Sequence, residues 1–150
     1  MQVYLKPNFI PMPTTLPTKV VPQGEGEQLL VLVDNITVKV SGDDSYGNVL
    51  FVETNNEEGA GVPPHYHTRE DEIFYVVDGE AEFMVGGEKV IAKTGDTIFA
   101  PRNIPHAYTF LKPTKMTTTI VPSGMDELFR EVNAMDQSNL DEVVKVSTST

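Results

Sequence analysis

From residue 29 to residue 121 the chain never runs far between turn signals. Short runs rich in β-branched and aromatic residues alternate with turn-forming clusters. The runs are Leu29–Val33, Ile36–Val40, Val49–Glu53, Glu72–Val77, Glu80–Val85, Lys89–Ala92, Thr97–Ala100, His106–Leu111 and Lys115–Val121. The clusters include Asp-Asn, Ser-Gly-Asp-Asp, Asp-Gly, Gly-Gly and Pro-Arg-Asn-Ile-Pro. Strands spaced at roughly 8 to 12 residues, with no helical period between them, predict an antiparallel sandwich or barrel. Asp78-Gly79 predicts a two-residue type I′ hairpin joining its flanking strands, and Gly86-Gly87 predicts a second tight turn.

The two ends read differently. Residues 1–24 hold Pro7, Pro11, Pro13, Pro17 and Pro22, which exclude a helix and predict an extended arm packing on the barrel or on a dimer mate. Residues 25–122 are expected to form the barrel, and 123–150 a helical segment and tail. Ser123 to Asp126 fits a capping box, and Met125, Leu128, Phe129, Val132 and Met135 recur at helical spacing. A second short helix is expected at 139–145. At 150 residues one core buries about two-thirds of the unfolded surface. There is no cysteine and no apolar run of signal or membrane-spanning length, so a cytoplasmic protein is expected. A formal charge of −11 argues against nucleic-acid binding.

Chemistry concentrates between Gly59 and Gly79. His65 and His67 stand two residues apart, so in extended chain they share a face about 6.5 Å apart along the strand. Pro63 and Pro64 stiffen the approach. After Thr68-Arg69-Glu70-Asp71 a new strand returns Glu72 toward the same point, making two imidazoles and a carboxylate a candidate metal site. His106 is the remaining histidine of three. Were it to join them, the site would hold three nitrogens and one oxygen.

These spacings resemble the cupin superfamily. The first cupin motif, G-x5-H-x-H-x4-E-x6-G, is filled by Gly59, His65, His67, Glu72 and Gly79. The second, G-x5-P-x-G-x2-H-x3-N, is matched by Gly95, Pro101 and His106. Asn103 stands where the motif has Gly, and Asn is the residue that best tolerates positive φ after glycine. Phe110 replaces the final Asn, which is not a ligand in the family. The resemblance covers about residues 25–140. It implies an all-β double-stranded β-helix, the cupin jelly-roll barrel, with a short C-terminal helix. It also implies one divalent metal ion per chain on His65, His67, Glu72 and His106.

A cysteine-free set of three His and one Glu suits Fe, Mn, Ni, Co or Zn. Glu72 has two roles open to it, ligand or general base. Alternation places Phe74 inward with Glu72, and Tyr108 and Phe110 inward with His106, so a substrate pocket lined by Phe74, Tyr108 and Phe110 is expected. Arg102 is either a contact for an anionic substrate or an ordinary exposed loop residue.

The strings GVPPHYHTREDEIFYVVDGEAEF, GDTIFAPRNIPHAY and PSGMDELF are similar to single-domain, quercetin dioxygenase-like cupins. That likeness implies metal-dependent cleavage of a flavonol-like or other enolisable small molecule with O2. The alternatives are a non-oxidative metal-dependent isomerase, lyase or decarboxylase, and a non-catalytic small-molecule-binding barrel. The arm, the exposed strand edges and the resemblance together predict a homodimer.

Overall fold

A computed structural model describes residues 15–138. The order is β1 (Glu27–Val31), β2 (Asp34–Val40), β3 (Leu50–Asn56), β4 (Gly61–His65), β5 (Asp71–Asp78), β6 (Glu80–Val85), β7 (Glu88–Lys93), β8 (Thr97–Ala100), β9 (His106–Phe110), β10 (Thr114–Val121) and α1 (Met125–Ala134). Two antiparallel sheets form, one ordered β1-β2-β3-β10-β5-β8 and the other β4-β9-β6-β7. This is the expected all-β jelly roll, with one helix after the last strand.

Period-2 alternation decides what each strand points inward. In β5 the inward residues are Glu72, Phe74 and Val76, and in β9 they are His106, Tyr108 and Phe110. β10 buries Thr114, Met116, Thr118 and Ile120. Phe74, Val76, Ala81, Phe83, Tyr108, Phe110 and Met116 make one core cluster. Leu29, Ile36, Val38, Leu50, Val52 and Ile120 make a second with Met125 and Phe129 of α1. Full burial of a side chain of this size contributes about 1.5–3 kcal/mol.

The turn at Asp78-Gly79 is not a hairpin. β5 pairs with β10 and β8, whereas β6 pairs with β7 and β9, so the chain changes sheet at Gly79. Glycine is needed there for room as well as for its φ of 125. A Cβ on Gly79 would lie 2.3 Å from the Thr114 hydroxyl and 2.7 Å from its Cα. Gly86-Gly87 does close a hairpin, between β6 and β7, with both φ values positive, 57 and 84. That is the backbone a type I′ turn requires.

The first hairpin also differs from expectation. Asp34-Asn35 does not form the turn; Leu32 and Val33 do, and Asp34 begins β2 opposite Val31. Leu32 takes a φ of 59, a left-handed conformation that costs a side chain with a Cβ about 1–2 kcal/mol. The shift places Asp34 on the same inward face as Ile36 and Val38.

The predicted capping box does not form. Gly124 is the N-cap of α1 with no side-chain cap, and the Ser123 N–H donates to the Gly47 carbonyl at 3.1 Å. Asp126 instead accepts from the Gly42 N–H at 3.0 Å, tying the helix to the segment between β2 and β3. The helix side also satisfies edge strand β1. Asn133 accepts from the Leu30 N–H and Gln137 donates to the Leu30 carbonyl, each at 2.8 Å. Edge groups covered in this way are closed to further strand pairing.

Residues 15–24 lack regular structure and touch β2 and the Gly42 region through Lys19 with Asp44 and Lys39 with the Pro22 carbonyl. The rest of the expected arm, 1–14, and the expected second helix at 139–145 lie outside the described residues. Among the described residues no helix is long and apolar enough to cross a membrane.

Candidate metal centre

Four elements deliver the four candidate ligands. β4 pairs with β9 so that His65 faces His106, but the register slips by one residue between Val62 and His65. That bulge falls on Pro63-Pro64, where missing N–H groups make regular pairing impossible. Gly61 lets the two strands close, since a Cβ there would sit 2.1 Å from the Tyr108 carbonyl oxygen. It therefore begins β4. His67 follows β4 in the connection to β5, and Glu72 comes from β5 of the opposite sheet.

The loop before His106 is fastened at two points. The Asn103 N–H donates to the His67 carbonyl at 2.7 Å, and Asn103 takes the φ of 65 for which the motif keeps glycine. Arg102 is bound to Asp71 through its backbone N–H (2.8 Å), its Nε (3.1 Å) and its Nη2 (2.9 Å). The Arg102 guanidinium holds the Asp71 carboxyl down at about 2. Arg102 thus links the His106 loop to the strand carrying Glu72, and its guanidinium is engaged within the chain.

One ligand atom from each of His65, His67, Glu72 and His106 lies within 4.8 Å of the others. The tautomers follow from the neighbours. His65 Nδ1 is 2.8 Å from the Pro63 carbonyl oxygen, and His106 Nδ1 is 3.2 Å from that of Ile104. A carbonyl can only accept, so both rings carry a proton on Nδ1 and turn Nε2 inward, where the neutral ring offers a lone pair. Glu72 Oε2 lies 2.6 Å from His106 Nε2 and 3.5 Å from His67 Nε2. These three buried atoms form no aligned hydrogen bond. Acceptors facing one another at that range need a proton or a cation between them.

The electrostatics agree. Burial lowers His65 to about 4, keeping it neutral and able to act as a ligand. Burial would raise Glu72, but His106 and His67 outweigh it and hold the carboxyl at about 2. Burial would also lower His106, yet the Glu72 carboxylate beside it raises its pKa. A carboxyl held so low is a ready ligand and a poor base, which favours the first of the two roles open to Glu72. Three imidazoles and one carboxylate suit a divalent ion of the Fe, Mn, Ni, Co or Zn type.

A cavity of about 620 Å³ opens beside His65, His67 and Glu72, within the range of small-molecule sites. Phe74 and Tyr108 line it, with Ile36, Val52, Ile120, Met125 and Phe129 among the other walls. Phe110 does not. It is 1 % exposed in the core, with its ring centroid 5.3 Å from that of Tyr108 and its strand paired to Ala81, so inward parity took it into packing and not to the cavity.

Two polar residues of this region were not singled out from sequence. Asp34 lines the cavity, and its Oδ2 accepts from the Tyr108 hydroxyl at 2.7 Å. Asn56 donates to the other Asp34 oxygen. Burial, reinforced by Asp34, holds the Tyr108 hydroxyl protonated well above its ordinary range. The alternation Asp34, Ile36, Val38 was the available signal, masked because Asp-Asn also reads as a turn.

Residues 52–121 match the family model described as "Cupin domain". The chain is 28 % identical over 122 residues to a quercetin 2,3-dioxygenase of Bacillus subtilis, covering 78 % of this chain and 36 % of that protein. It is 33 % identical over 98 residues to the quercetin 2,3-dioxygenase of Aspergillus japonicus, covering 60 % of this chain and 28 % of that one. The chain therefore spans about a third of the length of these two relatives. The solved structure of KdgF from Halomonas sp. superposes with a TM-score of 0.66 at 25 % identity, covering 74 % of this chain and 99 % of that one.

Proposed function

We propose, from the premise that this chain belongs to the cupin superfamily, that it holds one divalent metal ion on His65, His67, Glu72 and His106 and is a dioxygenase. Its substrate would be a flavonol-like or other enolisable small molecule, cleaved with O2. The observation that carries the metal reading is the buried group of Glu72 Oε2, His67 Nε2 and His106 Nε2 facing one another without hydrogen bonds. The likeness to two quercetin 2,3-dioxygenases supports the reaction.

The bound ion would supply Lewis acidity, lowering the pKa of an enolic hydroxyl and leaving an electron-rich skeleton open to O2. The protein's part is to place that skeleton. Phe74, Tyr108 and Phe129 offer aromatic surface, and Ile36, Val52 and Ile120 add aliphatic wall beside it, which suits a flat substrate.

One observation favours a second reading, in which the ion polarises a carbonyl or enediol without O2, as in an isomerase, lyase or decarboxylase. The match to the dioxygenases takes in only about a third of their length, so their reaction is carried by part of the likeness alone. Elemental analysis coupled to oxygen uptake with a panel of flavonols and other enolisable compounds separates the two. About one equivalent of metal per chain with substrate-dependent O2 consumption supports the dioxygenase. Metal without oxygen uptake supports the Lewis-acid reading, and no metal after reconstitution overturns both. The reading includes a homodimer, supported by the exposed Ile73, Tyr75 and Phe99 on the outer face of β5 and β8, and light scattering tests it.

A further inference from the structure

The cavity has a second polar point that the metal ligands do not explain. Asp34 is 3 % exposed at the start of β2, and among the described residues no lysine or arginine pairs with it. Both of its donors are neutral. The Tyr108 hydroxyl reaches Oδ2 at 2.7 Å, and the Asn56 amide reaches Oδ1. The amide is oriented from behind, because Asn56 Oδ1 accepts from the Asn35 backbone N–H at 2.9 Å and from its side chain at 3.1 Å. Its NH2 must therefore face Asp34.

Burying a carboxylate without a cation is costly, and a barrel of this kind gains nothing from it that an apolar residue would not supply. Burial accordingly pushes the Asp34 pKa up, against the pull of Tyr108 and Asn56. Each carboxylate oxygen accepts more than one hydrogen bond, so lone pairs are left over after Tyr108 and Asn56 are served. The residue lines the same cavity as His65, His67 and Glu72.

We propose that Asp34 is a specificity-determining residue that accepts a hydrogen bond from a neutral hydroxyl of the bound molecule, with Tyr108 and Asn56 as positioning residues that fix its orientation. The ligand class is a small molecule with an apolar, ring-like body, one polar group at the His/Glu cluster and a hydroxyl at Asp34. A molecule presenting a carboxylate there is rejected by like charge. The proposal rests on the cavity being the substrate site and needs neither O2 chemistry nor a particular metal.

The test is NMR titration of the full-length protein, as purified and after zinc reconstitution, with phenol, catechol, anisole and benzoate. Phenol and catechol are expected to shift the backbone amides of Asp34, Asn35 and Tyr108 in both preparations, while anisole and benzoate bind at least about tenfold more weakly. Asp34→Asn is expected to weaken phenol binding by about tenfold or more and to leave the zinc content unchanged. Tyr108→Phe, which removes one of the donors that orient Asp34 and leaves the acceptor in place, is expected to weaken phenol binding less than Asp34→Asn does. The proposal is overturned if neither phenol nor catechol produces those shifts, if anisole or benzoate binds as well as phenol, or if Asp34→Asn binds phenol like the parent. If Asp34→Asn does not fold, the order of phenol over anisole and benzoate in the parent protein decides the proposal. Failure of the metal reading shows separately, as zinc that does not bind.

Discussion

Nε2 of His106 stands 2.6 Å from Oε2 of Glu72, although the two residues belong to strands of different sheets. Any ion held by both joins the two halves of the sandwich. The site is thus a link in the fold as well as a place for chemistry, and most of the predictions below depend on that link.

An ion that binds only the folded chain stabilises it by mass action, by about 2.7 kcal/mol at a free concentration one hundred times its Kd. Reconstitution with a divalent metal should raise the thermal midpoint by several degrees, on the order of what that energy gives for a domain of this size. In His106→Ala the rise should vanish. Differential scanning calorimetry with and without metal reads this directly, and an unchanged midpoint in the parent protein would refute the link.

Metal affinity of the metal-free protein should rise with pH. His65, lowered to about 4, is neutral through the useful range and releases no proton on binding. His106, whose pKa the Glu72 carboxylate raises, holds its proton to higher pH than a free imidazole and must give it up on binding. The same signs apply to folding of the metal-free form. The His106 contribution is fully present below its unfolded pKa and is lost as pH rises through its raised folded value. That of His65 runs the other way and is lost as pH falls from 6.5 toward 4. Calorimetric titration in buffers of different ionisation enthalpy counts the protons, and affinity independent of pH between 6 and 8 would contradict the assignment.

Arg102 is expected to act on the metal through position alone. Arg102→Ala removes two of the three bonds to Asp71 and frees the loop that carries His106. Metal affinity should fall by roughly tenfold, the usual scale for partners that orient ligands, while thermal stability without metal changes little. Competition against a chromogenic chelator measures the first and circular dichroism the second. Equal affinity in parent and variant would show that the loop holds its shape without the clamp.

Glycines with different surroundings should respond differently to alanine. At Gly61 and Gly79 an added Cβ would meet backbone atoms or Thr114 at under 3.0 Å, so each variant should lose about 2–3 kcal/mol. Gly87 has nothing within 4 Å but a φ of 84, so Gly87→Ala should lose only about 1 kcal/mol from backbone strain. Urea denaturation ranks them, and Gly87→Ala as damaging as Gly61→Ala would invert the argument.

Much of this protein is legible along the chain because the information is local. Side-chain alternation is a property of any strand, so the inward set Glu72, Phe74, Val76 and the inward set His106, Tyr108, Phe110 follow from parity alone. The tolerance of Asn103 for positive φ likewise depends on one residue and its backbone. The spacing of His65, His67, Glu72 and His106 was readable in the same way. Tertiary structure decided whatever depends on which strand lies beside which. Asp78-Gly79 suits a hairpin, but hydrogen bonding to β10 on one side and β9 on the other sends β5 and β6 to different sheets. Phe110 shares the parity of Tyr108 yet lies in the core, because depth along the barrel is not encoded by parity. Asp34 belongs to the site only because Tyr108 and Asn56 arrive beside it from distant strands, and hydrogen bonds between distant residues leave no periodic trace in a sequence.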